Sequence, residues 1–250
     1  MQFSKDKFLA GVQTIHLKSD DVPIYSAIKD DEVRAMLDEF VEYGKNPRFS
    51  DALDKICKNL VGVTMFKLMI TKMIAKGKNM RIVSHNNQND GSFYENHTVY
   101  INLSRYDKSK CDAGIESMQY YCINQEGKIE NKLKSLAESI FHEFCHALHD
   151  VSETYIYKIV TICKSKGIDL VWGDDEELRT ITCLDHDPIC DHCFDLCQCL
   201  MTGDSFHPRY THKSYKIGQR KQRECDMQQL LQQCLPLSKK FMDGWREYVI

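Results

Sequence analysis

The segment His142-Glu143-Phe144-Cys145-His146 has the residue types and spacing best suited to chemistry. Residues four apart in a helix lie one turn apart on the same face, so the imidazoles of His142 and His146 can reach one metal ion. Glu143 points about 100° to the side of His142, where its carboxylate can contact a water without binding the ion. Chance predicts roughly 0.03 such HExxH patterns per chain of this composition. The segment therefore predicts a zinc site with a general base.

A periodic apolar pattern predicts the helix that must carry this segment. Apolar residues recur three or four positions apart over residues 131–149, which is typical of an amphipathic helix. The residues of this stripe are Leu133, Leu136, Ala137, Ile140, Phe144, Ala147 and Leu148. We expect His142 and His146 to lie on the opposite face.

A catalytic zinc ion needs a third protein ligand and one open position. His149 shares the face, but seven residues of helix rise about 10.5 Å, which is too far for three side chains to meet at one ion. We therefore expect His149 to support the site from outside or to lie at the surface. Glu176 and Glu177 open the next predicted helix, and either could be the third ligand. The alternative is a capping box, with Asp174 as the N-cap and Glu177 reaching back to its amide.

The remaining pattern predicts a mostly helical α+β fold with a small mixed sheet beside the HExxH helix. Helical periodicity covers residues 31–43 and 51–73, and closing helices are predicted over residues 223–234 and 236–250. Strands are predicted at 81–83 and 97–103, separated by the turn-rich residues 86–91. We expect an N-terminal extension over residues 1–30 and a catalytic domain over residues 31–250.

Composition narrows the class of function. Hydrophobic residues make up 42% and charged residues 28% of the chain, as in folded globular proteins. The net charge of −3 gives no general attraction to nucleic acid or to acidic lipid. The longest apolar stretch, residues 60–75, carries Lys67 and Lys72, which predicts a buried helix and no membrane span.

The chain contains 12 cysteines but no apolar signal-peptide core near its first residue. We therefore expect reduced thiols and a reducing compartment. A cysteine- and histidine-rich stretch over residues 183–199 could form a second zinc site. Cys190, Cys193 and Cys197 recur at helical spacing, however, and this favours thiols packed in a core.

Two motifs together resemble a known zinc-site signature. The segments HEFCHA at residues 142–147 and EELRT at residues 176–180 are similar to those of clostridial neurotoxin light chains and of the smaller NleD-type effector proteases of pathogenic bacteria. The resemblance implies a zincin-like metalloprotease fold. It also implies that Glu177 is the third zinc ligand and that Glu176 orients a ligating histidine.

The same resemblance implies an arginine that stabilises the oxyanion, and Arg209 in SFHPRYTHKSY is the candidate. Tyr210, His212 and Tyr215 are alternative partners for it. Cys183 stands where the resemblance leads us to expect glycine.

The resemblance also implies a function. We expect a zinc-dependent endopeptidase, monomeric, secreted by a bacterium into the host cytoplasm without a cleavable signal peptide. Its partner would be a host protein substrate, with signalling kinases as the closest precedent. The alternatives are a non-enzymatic zinc-stabilised protein-binding module and a zinc amidase that acts on a small molecule.

Overall fold

The computed structural model describes residues 5–87, 91–112, 115–123, 129–156, 175–182 and 189. The chain divides into two compact units. The first unit comprises Gly11–Met118 and Leu133–Tyr155. The described residues of the second unit are 5–10, 119–123, 129–132, 156, 175–182 and 189. No helix in this described part is long and apolar enough to cross a membrane.

Seven α-helices lie within the described residues. Their bounds are α1 Lys5–His16, α2 Val22–Ala27, α3 Val33–Phe40, α4 Pro47–Cys57, α5 Leu60–Lys76, α6 Leu136–Val151 and α7 Asp175–Thr182. Short 3-10 helices cover Ser19–Asp21 and Leu103–Arg105. The helices predicted over residues 31–43 and 51–73 are confirmed as α3, α4 and α5, and the helix predicted to follow Gly173 is confirmed as α7.

Two sheets accompany the helices. The first contains β1 Val41–Glu42, β2 Met80–His85, β3 Phe93–Glu95 and β4 Thr98–Asn102, in the order β1-β2-β4-β3. Strands β1 and β4 run parallel to β2, whereas β3 runs antiparallel to β4. The second sheet contains β5 Asp107–Asp112, β6 Ile115–Ile123 and β7 Ile129–Ser135, in that order. The α+β class with a small mixed sheet is therefore confirmed.

Helix α5 forms the centre of the first unit. It begins at the N-cap Asn59, whose side chain accepts a hydrogen bond from the Val61 N–H, and it ends at Gly77, whose φ of 61° suits a residue without Cβ. Residues on all sides of α5 are buried, which confirms the buried helix predicted from its apolar sequence. Lys72, in the same helix, is buried and ion-paired with Asp21.

The first boundary of the HExxH helix differs from the prediction. Helix α6 begins at Leu136, and residues 131–135 belong to strand β7. Ser135 and Glu138 form a capping box, which fixes the helix start at that point. Leu133, assigned from the sequence to the apolar stripe of the helix, lies in the strand and is 36% exposed.

The sequence did not predict some of the observed elements, and other predicted elements fall outside the described residues. The sequence did not predict β3 or the second sheet, because strands such as Asp107–Asp112 and Ile129–Ser135 are largely polar. The predicted helices at 223–234 and 236–250 and the cysteine-rich stretch at 183–199 lie outside the described residues, apart from Ile189.

Candidate functional site

The first unit holds α6 firmly at both ends. At its start the Ser135 hydroxyl accepts a hydrogen bond from the Glu138 N–H at 3.2 Å, and the Glu138 carboxylate accepts one from the Ser135 N–H. Near its end the Tyr94 hydroxyl of β3 donates to Asp150 Oδ2 at 2.6 Å. The helix packs against α4, α5 and strands β3 and β4. Every residue from Leu136 to His149 is buried, so the helix is a rigid platform for its side chains.

One aromatic contact joins α6 to α5. The ring of Phe144 meets the ring of Phe66 on α5 edge to face, with centroids 5.1 Å apart and an interplanar angle of 84°. Both rings are fully buried. Edge-to-face aromatic pairs contribute roughly 0.5–1.5 kcal/mol beyond the area that they bury. This contact therefore contributes to holding α6 against α5.

The two histidines converge on one face of α6. Their Nε2 atoms are 3.2 Å apart, and the rings of His142 and His146 stand at 90° to each other with centroids 4.7 Å apart. The residues are 7% and 6% exposed, so both imidazoles are held in place by their surroundings. Two Zn–N bonds of the usual length at a tetrahedral angle separate the nitrogens by about 3.3 Å. The observed separation of 3.2 Å matches that of two nitrogens bound to one zinc ion.

Glu143 lies beside this pair. Its Oε1 atom is 4.0 Å from His142 Nε2, and the residue is 4% exposed. A carboxylate at that distance is too far to share a bond with His142 Nε2, yet it can reach a water between them. This is the position expected for a general base.

A buried tyrosine that sequence reasoning did not select lies near the same carboxylate. Burial raises the pKa of Tyr106 to about 12, the hydroxyls of Ser139 and Ser92 offset part of that rise, and the charge of Glu143 adds to it. Tyr106 is therefore a neutral phenol near the candidate base at neutral pH. No periodicity or motif in the sequence marks this residue.

Tyr155 is a second residue that the sequence did not reveal. Its ring lies 6.2 Å from the ring of His146, centroid to centroid, and is half-buried. It follows the end of α6 in SETYIY, two residues after a turn in which Glu153 has φ 62°. A sequence pattern could not have placed it there, because the turn depends on a left-handed residue that is not glycine.

Of the two alternatives predicted for His149, the surface position is wrong. It is fully buried, and its ring stacks on that of His16, with centroids 6.0 Å apart and an interplanar angle of 12°. His149 is therefore not a surface residue, and it packs against α1.

In the second unit, α7 carries the downstream motif. Glu176 is fully buried, and its Oε2 atom accepts hydrogen bonds from Arg179 Nη2 at 2.5 Å and from the Ile156 N–H at 3.0 Å. The Thr180 hydroxyl lies 3.4 Å from Glu176 Oε1. These hydrogen bonds connect residues of the EELRT motif to one another and to the backbone of Ile156. Glu177, on the same helix, is half-buried.

Comparisons of this chain with known proteins found no match. No protein-family model, no curated protein and no solved structure matches this chain.

The structure thus brings His142, Glu143 and His146 together on one helix. Glu177 belongs to the other unit, so its role as third ligand and that of Glu176 as an orienting carboxylate stay predictions. Arg209 and its alternative partners lie outside the described residues. In the first unit, two imidazole nitrogens are therefore placed to bind a metal ion, and one carboxylate beside them is placed to accept a proton.

Proposed function

We propose that this protein is a zinc-dependent endopeptidase with a zincin-like fold. The observation that carries the proposal is the 3.2 Å approach of two buried Nε2 atoms with a buried carboxylate beside them. His142 and His146 would hold zinc together with Glu177, which the resemblance of EELRT assigns as the third ligand. Borderline-soft imidazole nitrogens and a carboxylate oxygen form a ligand set typical of catalytic zinc.

Zinc bound there would supply Lewis acidity, which acidifies water and polarises a carbonyl. Glu143 is the residue that would carry out the proton transfers. Its Oε1 atom accepts a proton from the attacking water and then delivers it to the leaving amine. Because Glu143 is buried, little bulk water competes for that proton. Arg209, from the same resemblance, would share the negative charge of the tetrahedral intermediate.

We also propose the compartment in which the protein acts and the class of its substrate. We infer a bacterial effector, secreted without a cleavable signal peptide, that acts in the host cytoplasm on a host protein such as a signalling kinase. The resemblance of the two motifs supports this setting. The charge of −3 is consistent with a protein substrate, since it offers no general attraction to nucleic acid.

The test compares wild type with Glu143→Gln in host-cell lysate, with new N-termini identified by mass spectrometry. We expect new protein N-termini with wild type and none with Glu143→Gln, while both proteins bind one zinc ion. Glu95→Gln, an exposed substitution of the same chemistry, is the matched control and should behave as wild type. Zinc binding without any cleavage would favour a zinc-stabilised binding module. Cleavage of small amides alone would favour an amidase.

A further inference from the structure

A gap in the first sheet lies far along the chain from the histidine pair. Strand β1 pairs with β2 only at Val41–Met80 and Glu42–Arg81 and then ends, whereas β2 continues to His85. Within the described residues, no strand covers this edge of β2 beyond Arg81. In the part of the chain that the structure describes, the edge is therefore unpaired over Ile82 to Ser84.

The hydrogen-bonding direction of these residues follows from the other side of β2. The Arg81 N–H donates to the His97 carbonyl at 3.0 Å, next to β4. Successive residues in a parallel ladder direct their backbone groups to opposite neighbours. Ile82 and Ser84 therefore direct their N–H and C=O groups to the β1 side, where β1 ends after Glu42. The Ile82 carbonyl and both backbone groups of Ser84 face the gap.

The chain leaves β1 because of its backbone conformation. Gly44 has φ 62° and Lys45 has φ 53°, so the chain turns away from the sheet and enters α4 through the N-cap Asn46. This turn leaves a cavity of about 320 Å³ between the turn and β2. Its lining includes Tyr43, Gly44, Phe49, Ile82, Val83 and Ser84.

The wall of this cavity is preorganised. The Tyr43 hydroxyl donates to Asp38 Oδ1 at 2.5 Å, and Arg34 Nη1 donates to the same oxygen at 2.7 Å. Arg34 also donates to the Ser50 hydroxyl on α4 at 3.0 Å. These bonds connect α3, the turn and α4. A ligand that enters the cavity need not order its wall first, and this favours binding.

We infer that this edge is a docking site for an extended peptide segment of another protein. Backbone donors and acceptors at strand spacing are matched by an extended polypeptide, which would add to the sheet as a continuation of β1. Phe49, 1% exposed, forms an apolar floor for one bulky side chain of that segment. At the rim Glu42 and Arg81 are ion-paired at 3.1 Å, so the groove is electrically balanced and suits an uncharged segment.

A second copy of this chain fits the groove poorly. In a second copy the same edge of β2 lies beside its own turn at Gly44 and Lys45, so two such edges would bring turn against turn before their strands could pair. The occupant must therefore be a protruding or unfolded segment. The inference does not depend on the proposed hydrolysis, and Glu143→Gln protein can serve as the bait.

The probe is a mixture of blocked pentapeptides, acetyl-Thr-X-X-X-Thr-amide, with X drawn from Val, Ile, Leu, Phe and Tyr. We expect the full-length bait to enrich a subset of the mixture. Ser84→Pro should weaken binding of that subset about tenfold, because proline removes the N–H that faces the gap and leaves the β4 side intact. Ser84→Ala, which keeps the N–H, is the matched control and should bind as the bait does.

A second variant protects the test against misfolding of Ser84→Pro. Gly44→Asn should also weaken binding, since asparagine tolerates positive φ, a Cβ at this position meets no atom within 4 Å, and Gly44 lines the groove that the added side chain would narrow. Far-UV circular dichroism verifies that each variant is folded. No enrichment by the bait, or equal enrichment by both groove variants, would overturn the inference. Sedimentation that shows a dimer abolished by Ser84→Pro would overturn it in favour of self-association.

Discussion

At the scale of single residues, the positions of His142 and His146 decide what the first unit can bind. Their Nε2 atoms are 3.2 Å apart, and two buried imidazoles at that separation are either joined by a hydrogen bond or share a metal ion. The two arrangements respond differently to substitution. If the two rings share a metal ion, loss of one ring removes a ligand and weakens metal binding. If they are joined only by a neutral hydrogen bond, loss of one ring has a modest effect on the free energy of unfolding.

The His146→Ala variant should therefore bind zinc at least about 100-fold more weakly than wild type, as expected for loss of one inner ligand. Competition with a chromophoric chelator measures the affinity. His85→Asn, a substitution in β2 outside the pair, is the control and should bind zinc as wild type does. Equal affinity of wild type and His146→Ala would show that the histidine pair is not the zinc site.

A second residue-scale prediction concerns Cys57. Burial raises the pKa of its thiol to about 12 from an ordinary value of 9.0. At pH 8 the thiolate fraction is then about a thousandfold lower than for an ordinary cysteine, and the thiolate is the reactive form. Iodoacetamide should modify Cys57 slowly in the native protein and rapidly in urea, as measured by peptide mass spectrometry. Equal rates in the two states would contradict the burial of this thiol.

At the scale of elements, the start of α6 depends on the Ser135–Glu138 capping box. Loss of the serine hydroxyl leaves a buried N–H of the first turn without its acceptor. Ser135→Ala should lower the free energy of unfolding by about 1 kcal/mol. Urea denaturation measures the change. Ser19→Ala, at an exposed position outside the box, should change the free energy by less than about 0.5 kcal/mol.

The other end of α6 is connected to the β3–β4 turn through His97. The Lys78 ammonium has only donors, so His97 Nε2, 2.8 Å away, accepts and the proton lies on Nδ1, 3.6 Å from Asp150. Burial lowers the pKa of His97, Lys78 lowers it further and Asp150 opposes both. The folded protein therefore takes up this proton less readily than the unfolded chain does.

Stability should accordingly fall as the pH decreases below about 6.5, because the unfolded chain then binds more protons. The His97→Gln variant should show a shallower decrease in the free energy of unfolding between about pH 7 and pH 5. Lys78→Gln should also reduce the slope, since it removes a positive charge beside the ring. Urea titrations at several pH values measure both effects. A wild-type slope in His97→Gln would contradict the role of this residue.

At the scale of the whole molecule, metal binding and folding are linked. A ligand that binds only the folded chain stabilises it by about 2.7 kcal/mol at 100 times its Kd. Zinc should therefore raise the thermal midpoint of wild type, and a chelator should reverse the rise. Scanning calorimetry on wild type, His146→Ala and His85→Asn tests this, with a rise expected only in wild type and His85→Asn. A rise of the same size in His146→Ala would place the metal elsewhere.

The sequence by itself determined the parts that depend on neighbours along the chain. Periodicity predicted α3, α5 and most of α6, because a buried helical face repeats every three or four residues. Helical spacing likewise placed His142 and His146 on one face and Glu143 beside them. The capping box at Ser135 was not predicted, and the apolar stripe led the predicted helix to begin too early.

Only the tertiary structure decided the relations between segments distant in sequence. It showed the parallel pairing of β2 with β4, the stack of His149 on His16 and the buried Tyr106 near Glu143. It also showed that β1 ends after two residues, so that no strand of the described ranges pairs with this edge of β2 beyond Arg81. Long-range packing and backbone turns produce these features, and neither leaves a periodic signal in the sequence.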